Sequence, residues 1–409
     1  MRMLWVVLLV SCTSSRESDN PVRLLALTQA GTDVVLSEFE SEVELARWEI
    51  PEGADAGRFR SNALGTHGFA GWSIPGEGFP PDDETGVQVV DYRDGTSWDL
   101  FSGIGEGICE RASGFFRYRI EWLPDDRLLV RCTVENDERT TIESAVYRVS
   151  RDGNEVERLG GSCTFIEAVL PNGDLLLGDR GPGCSSDGRW LSWTHADGVE
   201  PLELEESARI AGVSSLGVLI AEIEDDDRGF VFRDVHWRDL ETGERTPVVD
   251  VLEPGSVIYA SSSDGVLPIG TPSGTSIELS LLAPDGTETP VRMPACRTYS
   301  RVHSIVRWSE DALVAGCQWS DGSVPTTWMI QRDGTTTPLP VEAPEHDVGG
   351  DWHPDSNQFL RRTSIPGTGR GRWFLDRADG TSEVIPTGAS SLGWSRIRWT
   401  SNCGAFACS

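Results

Sequence analysis

The chain has 409 residues, 38% of them hydrophobic, and a formal charge of −30 that combines 65 acidic residues with 35 arginines and no lysine. So large an acidic excess excludes nucleic acid and anionic membrane surfaces as natural ligands. Length alone suggests two or three domains, and 15 Trp provide ample bulk for a core.

Residues 1–11 begin MRMLWVVLLVS, with an apolar run from Met3 to Val10 that is too short to cross a bilayer as a helix. The tetrapeptide Leu9-Val10-Ser11-Cys12 resembles the lipobox of bacterial lipoprotein signals. That resemblance implies cleavage before Cys12, lipid on Cys12, and residence in the bacterial cell envelope, with Thr13 after the cysteine pointing to the outer membrane. Residues 12–20, rich in Ser and charge, read as a polar tether, and 21–409 as the folded domain.

From residue 21 onward one pattern recurs: a strand, a tight turn centred on Gly, and a second strand. Its glycines are Gly31, Gly95, Gly153, Gly198, Gly243, Gly286, Gly334 and Gly380, spaced by 64, 58, 45, 45, 43, 48 and 46 residues. Glycine accepts positive φ without a Cβ clash, and the Asp before most of these glycines can bond the turn backbone, so each reads as a hairpin. A period of about 40–50 residues built of hairpins is the signature of a β-propeller. Segments such as YRIEWLPDDRLLVRC, IEAVLPNGDLLLG, SIVRWSEDALVAGC and GGDWHPDSNQFLRRT form a second recurrence upstream of the Gly turns. One repeat is thus a four-stranded blade, with the Pro-Asp type turn joining its first two strands and the Gly turn its last two. The expected fold is all-β: a single propeller, eight-bladed, or seven-bladed if Ser41–Gly86 is an insertion. Residues 394–408 copy a first and second strand, whereas 21–39 read as a third and fourth, so the two ends are expected to share one blade and close the ring.

These repeats resemble the TolB-type, WD40-like propellers, through Pro124-Asp125, Pro171-Asn172 and Pro354-Asp355 and the TGE and DG hairpins. The resemblance implies the propeller fold and a tendency to bind partners. Trp122, Trp308, Trp352 and Trp399 fall at the ends of first strands, and Trp190, Trp237, Trp328 and Trp373 in third strands; packing between blades is their expected role.

With Cys12 set aside, eight cysteines remain, an even number that suits an oxidising compartment. Cys109/Cys132, Cys163/Cys184 and Cys296/Cys317 recur at separations of 23, 21 and 21 residues, each flanking a first-and-second-strand hairpin. Antiparallel pairing brings the entry and exit of such a hairpin together, so three disulfides within blades are expected. The pairing of Cys403 and Cys408 stays open. A thiolate metal site would favour CxxC spacing, which is absent.

The loops between second and third strands carry much of the acidity, at Asp82 and Asp83, at Glu138, and at Asp225, Asp226 and Asp227. They are expected on one face of the ring, where they suit a cationic partner. Solvated loops would carry the same residues, and Ca²⁺ is a weaker alternative because EDDD lacks the D-x-D-x-D-G spacing of a calcium loop. No metal or other cofactor is otherwise expected. Catalytic motifs are sparse: the six His show no H-E-x-x-H and the Ser no G-x-S-x-G context, and the densest polar run places His346 and Asp347 near the top of the channel. Two function classes follow. One is a lipid-anchored, non-enzymatic propeller that binds a protein or envelope component through its loop face; the other is a periplasmic lyase or hydrolase acting on polysaccharide or peptide in the channel.

Overall fold

The computed structural model describes residues 24–38, 43–62, 66–74, 84–105, 109, 118–135, 141–161, 164–170, 172–179, 191–195, 198–202, 204, 208–227, 229–274, 276–292, 296–297, 307–308, 312–317, 326–339, 346–352, 358–364, 372–377, 381–385 and 396–399. The signal, the tether and residues 400–409 lie outside them. Apart from one short helix, Leu100–Ile104, the regular elements are strands.

The described strands form eight antiparallel sheets, seven of four strands and one, the sixth, with the extra short strand Cys296–Arg297. Seven of the eight are built from strands consecutive in the chain, in the order expected of a blade. The third, for example, runs Tyr118–Trp122, Leu128–Glu135, Thr141–Val149, Val156–Leu159. The fifth runs Ala208–Ser214, Gly217–Asp226, Gly229–Arg238, Arg245–Val251. The exception is the first sheet, where Leu24–Ala30, Asp33–Glu38 and Glu44–Glu49 are completed by Arg396–Trp399 from the far end of the chain. First strands lie side by side: Arg396–Trp399 touches both Asp55–Ser61 and His346–Trp352, and the latter touches Arg307–Trp308.

The division of that first sheet corrects one expectation. Residues 21–39 are not its third and fourth strands. Leu24–Ala30 pairs directly with Arg396–Trp399, Ala26 opposite Ile397, so the amino-terminal segment supplies three strands and the described carboxy-terminal residues one. The Gly31 turn consequently joins the second strand to the third, which is why 64 residues separate it from Gly95. A tight Gly turn suits either joint equally, so the turn chemistry could not distinguish them. Glu44–Glu49 and the strands of the second sheet, Asp55–Ser61, His67–Ile74, Glu84–Asp91 and Ser97–Asp99, occupy and continue the stretch that had looked irregular.

Apolar burial lies between sheets. Leu25, Val34 and Leu36 of the first sheet cluster with Phe59, Ala70 and Val90 of the second. Phe69, Val87 and Val89 of the second cluster with Ile120, Trp122 and Val130 of the third. Further round, Val235 and Trp237 meet Leu267 and Ile269, and Val314 and Met329 meet Phe359. A twisted sheet with both faces apolar needs a neighbour on each side, which a radial stack supplies. Trp122, Trp237 and Trp373 are buried as expected; Trp190 and the side chains of Trp308, Trp352 and Trp399 lie outside the described residues.

The Gly turns do more than close hairpins. Gly334 has φ +78°, and a Cβ there would come 2.2 Å from the Pro290 carbonyl oxygen in the outer strand of the preceding sheet. Its own carbonyl accepts from Arg292 N at 2.9 Å. Gly286, at φ +83°, approaches the Val248 carbonyl of its predecessor in the same way, at 2.8 Å from an ideal Cβ. At these positions glycine is required by both backbone conformation and close contact.

Candidate functional site

The fifth sheet carries the longest hairpin in the described chain, two strands of ten residues, Gly217–Asp226 and Gly229–Arg238. Burial fades along it. Val218, Leu219, Ile220 and Ala221 are buried, Glu222 and Ile223 half-buried, and Glu224, Asp225, Asp226 and Asp227 exposed. The pairing nonetheless continues to Asp226 opposite Gly229, so the acidic tip stands beyond the packed part of the sheet on an ordered ladder. Arg233 Nε donates to Glu224 Oε2 at 2.5 Å, an exposed pair of small energetic weight.

The segment that leaves the same sheet braces this hairpin from the side. Leu252 N donates to the Phe232 carbonyl at 2.9 Å and Gly255 N to that of Phe230 at 2.8 Å, and Phe230 faces Asp225 across the ladder. Val251 and Val257, flanking that segment, are among the few large apolar residues left exposed, at 46% and 39%. Exposed Glu253 lies between them. Exposed carboxylates and exposed valines thus lie on one braced hairpin and on the segment that leaves its sheet.

Of the other site residues expected from sequence, Asp82, Asp83, Glu138, Cys12, Cys163 and Cys184 lie outside the described residues, as do the side chains of Cys296 and Cys317. The backbone of His346 and Asp347 is placed on a first strand, opposite Ser364 and Thr363. Among the described residues no group of three or more His, Cys, Asp or Glu is arranged to hold a metal ion. The first expected disulfide is present: Cys109 and Cys132 are bonded, with Cα atoms 5.1 Å apart and a sequence separation of 23. Both are buried against the second sheet. Replacing both by Ser is expected to cost about 3 kcal/mol by the chain-entropy estimate, and a thermal melt with and without reductant measures it.

Two polar arrangements had no counterpart in the sequence reading. His67 lies buried with Nε2 3.2 Å from Asp91 Oδ2 and Nδ1 2.9 Å from Thr66 Oγ1. Burial lowers the His67 pKa, with Asp91 and Asp126 partly opposing; Arg93 holds Asp91 down at about 2. A neutral imidazole that donates from Nε2 and accepts at Nδ1 fits both contacts. Although hydroxyl, imidazole and carboxylate stand in series, the backbone N–H groups of Thr66 and His67 both donate to Asn62 Oδ1, at 2.9 and 3.0 Å, and so offer nothing to an oxyanion. The cluster clamps two sheets instead: Asn62 also donates to Asp126 of the third sheet, which accepts from Arg151 Nη1 at 2.7 Å. The second arrangement centres on buried Glu121, which accepts from Arg119 Nε at 2.6 Å.

No family model matches the sequence, and no curated protein does. The fold has solved counterparts. Dipeptidyl peptidase 4 of Porphyromonas gingivalis superposes with a TM-score of 0.57 at 8% identity, over 92% of this chain and 60% of that one. A structure described as the eukaryotic initiation factor gives 0.53 at 12%, over 96% and 93%. The β-propeller domain of the Trilobed protease from Pyrococcus furiosus, described as having an open velcro topology, gives 0.50 at 10%, over 81% and 98%. The chain therefore spans 60% of the length of the peptidase it matches. At these identities the likeness is one of fold: this is a β-propeller architecture of four-stranded antiparallel sheets.

Proposed function

We propose that this chain is a non-enzymatic binding module: an eight-bladed propeller, closed through its terminal strands and held at the bacterial envelope by lipid on Cys12, that docks a basic protein segment. The observation that carries this reading is the projecting hairpin of the fifth sheet, which lifts Asp225, Asp226 and Asp227 into solvent beside exposed Val251 and Val257. Charge complementarity would act mainly on encounter rate and choice of partner, with the valines contributing the desolvated contact. The eight sheets and the pairing of Leu24–Ala30 with Arg396–Trp399 support the closed ring, and the TolB-type motifs of the sequence are consistent with partner binding.

The test is crosslinked capture from detergent-solubilised bacterial envelope by the wild-type chain and by the triple variant Asp225→Asn, Asp226→Asn, Asp227→Asn. Wild type should retain a stoichiometric partner at low salt and lose it progressively towards about 1 M, where the Debye length is ~3 Å. The triple variant should bind about tenfold more weakly, with a flatter salt response. Equal capture by both chains at every salt concentration would overturn the reading.

A further inference from the structure

We propose that the inner end of the seam between the third and fourth sheets is a binding site for an oxyanion, a carboxylate or phosphate group of a small molecule, held by Arg119 and Arg131 with Glu121 as hydrogen-bond donor. The residues share one face of the third sheet. Ile120, Trp122, Leu128, Val130, Tyr147 and Val149 pack towards the second sheet. Their alternates, Glu121 and Arg119 on the first strand, Arg131 on the second and Arg148 on the third, therefore face the fourth. The Arg131 guanidinium lies 5.4 Å from the Phe165 ring centroid on the fourth sheet's first strand, which confirms the direction.

On this face Glu121 is 3% exposed, with Oε1 receiving Arg119 Nε at 2.6 Å and Oε2 buried without a partner. Arg131 Nε and Arg148 Nε are likewise buried and unpartnered, while Arg148 Nη1 reaches Glu157 at 3.4 Å. Native interiors pair such atoms almost without exception, so three on one face of one sheet mark a place built for something further to bind. Access is graded: the Arg119 side chain is 36% exposed and that of Glu121 4%.

The electrostatics agree. Arg119, Arg131 and, from the second sheet, Arg60 all act on Glu121, whereas Glu167 of the fourth sheet acts on Arg131. Burial nevertheless outweighs the arginines and raises the Glu121 pKa, and it lowers that of Arg131. A protonated Glu121 would offer an O–H to an anion from Oε2, the atom without a partner. Ionised Glu121 would repel the same anion.

The experiment is a titration of the whole chain with succinate and, separately, with inorganic phosphate, read by calorimetry and by the melting midpoint at about pH 5 to 8. At least one anion should bind wild type and raise its midpoint, with affinity falling as pH rises and Glu121 ionises. Glu121→Gln keeps a donor that does not titrate and should bind with a flat pH profile. Arg131→Met should lose about tenfold or more in affinity, as should Arg119→Gln, at a side chain 36% exposed. Absence of binding by either anion to wild type, or binding that both arginine variants leave unchanged, would overturn the proposal.

Discussion

Asp376→Ala is expected to destabilise the protein by about 3–5 kcal/mol, the range for stripping one partner from a buried ion pair. Asp376 and Arg361 lie on adjacent strands of the eighth sheet, and both side chains are 0% exposed. Arg361 donates from Nε to Oδ2 at 2.6 Å and from Nη2 to Oδ1 at 3.1 Å, a two-pronged match that fixes both groups. Its guanidinium lies 4.6 Å from the Phe374 ring centroid, and Ser382 Oγ also donates to Oδ1. Removing the carboxylate takes both of these bonds from a permanent cation enclosed within the sheet. Replacing the pair together, Arg361→Met with Asp376→Leu, removes that cause and should restore most of the loss. At about 2.1 cal/mol/K of unfolding entropy per residue the single variant should melt roughly 4–6 °C lower. A single variant costing under about 1 kcal/mol, or a double variant as unstable as the single, would show that the pair is not held as described.

That pair was invisible in the sequence, for a physical reason. Arg361 sits in QFLRRTS, and nothing in those letters tells which of Arg361 and Arg362 turns inward; Asp376 is one acid among 65. Glu121 was hidden similarly, inside YRIEW, where alternation placed a carboxylate between two buried apolar residues and its burial depended on the next blade. What could be read was local. Gly turns announced the hairpins, tryptophans announced the seams, and the Cys109/Cys132 separation announced a bond across one hairpin. The docking of Gly286 and Gly334 on the preceding outer strands was not legible, because their letters are those of any free hairpin tip. The acidic hairpin was legible as charge, while its projection and the neighbouring Val251 and Val257 emerged only from the folded arrangement.

Removing residues 394–409 is expected to lower the melting midpoint by about 5 °C or more, and to make the chain self-associate. Arg396–Trp399 supplies the first strand of a sheet whose other three strands lie at the opposite end of the chain, pairing with Leu24 through Leu27. Leu25 and Leu27 on the partner strand are 0% and 2% exposed. Without the strand, Leu24–Ala30 becomes an edge with open N–H and C=O groups, a template for pairing with another copy. The damage extends further, because Arg396–Trp399 also touches the first strands of the second and eighth sheets, so one deletion loosens three sheets. Several kcal/mol spread over a chain of this length amount to a few degrees in the midpoint, which sets the threshold. Ile397→Pro tests the same joint without shortening the chain: proline opposite Ala26 cannot donate to the ladder and should reproduce part of the loss. A truncated chain that stays monomeric and melts with wild type would mean that the ends contribute nothing to holding the ring together, and the closed propeller proposed for this protein would give way to an open one.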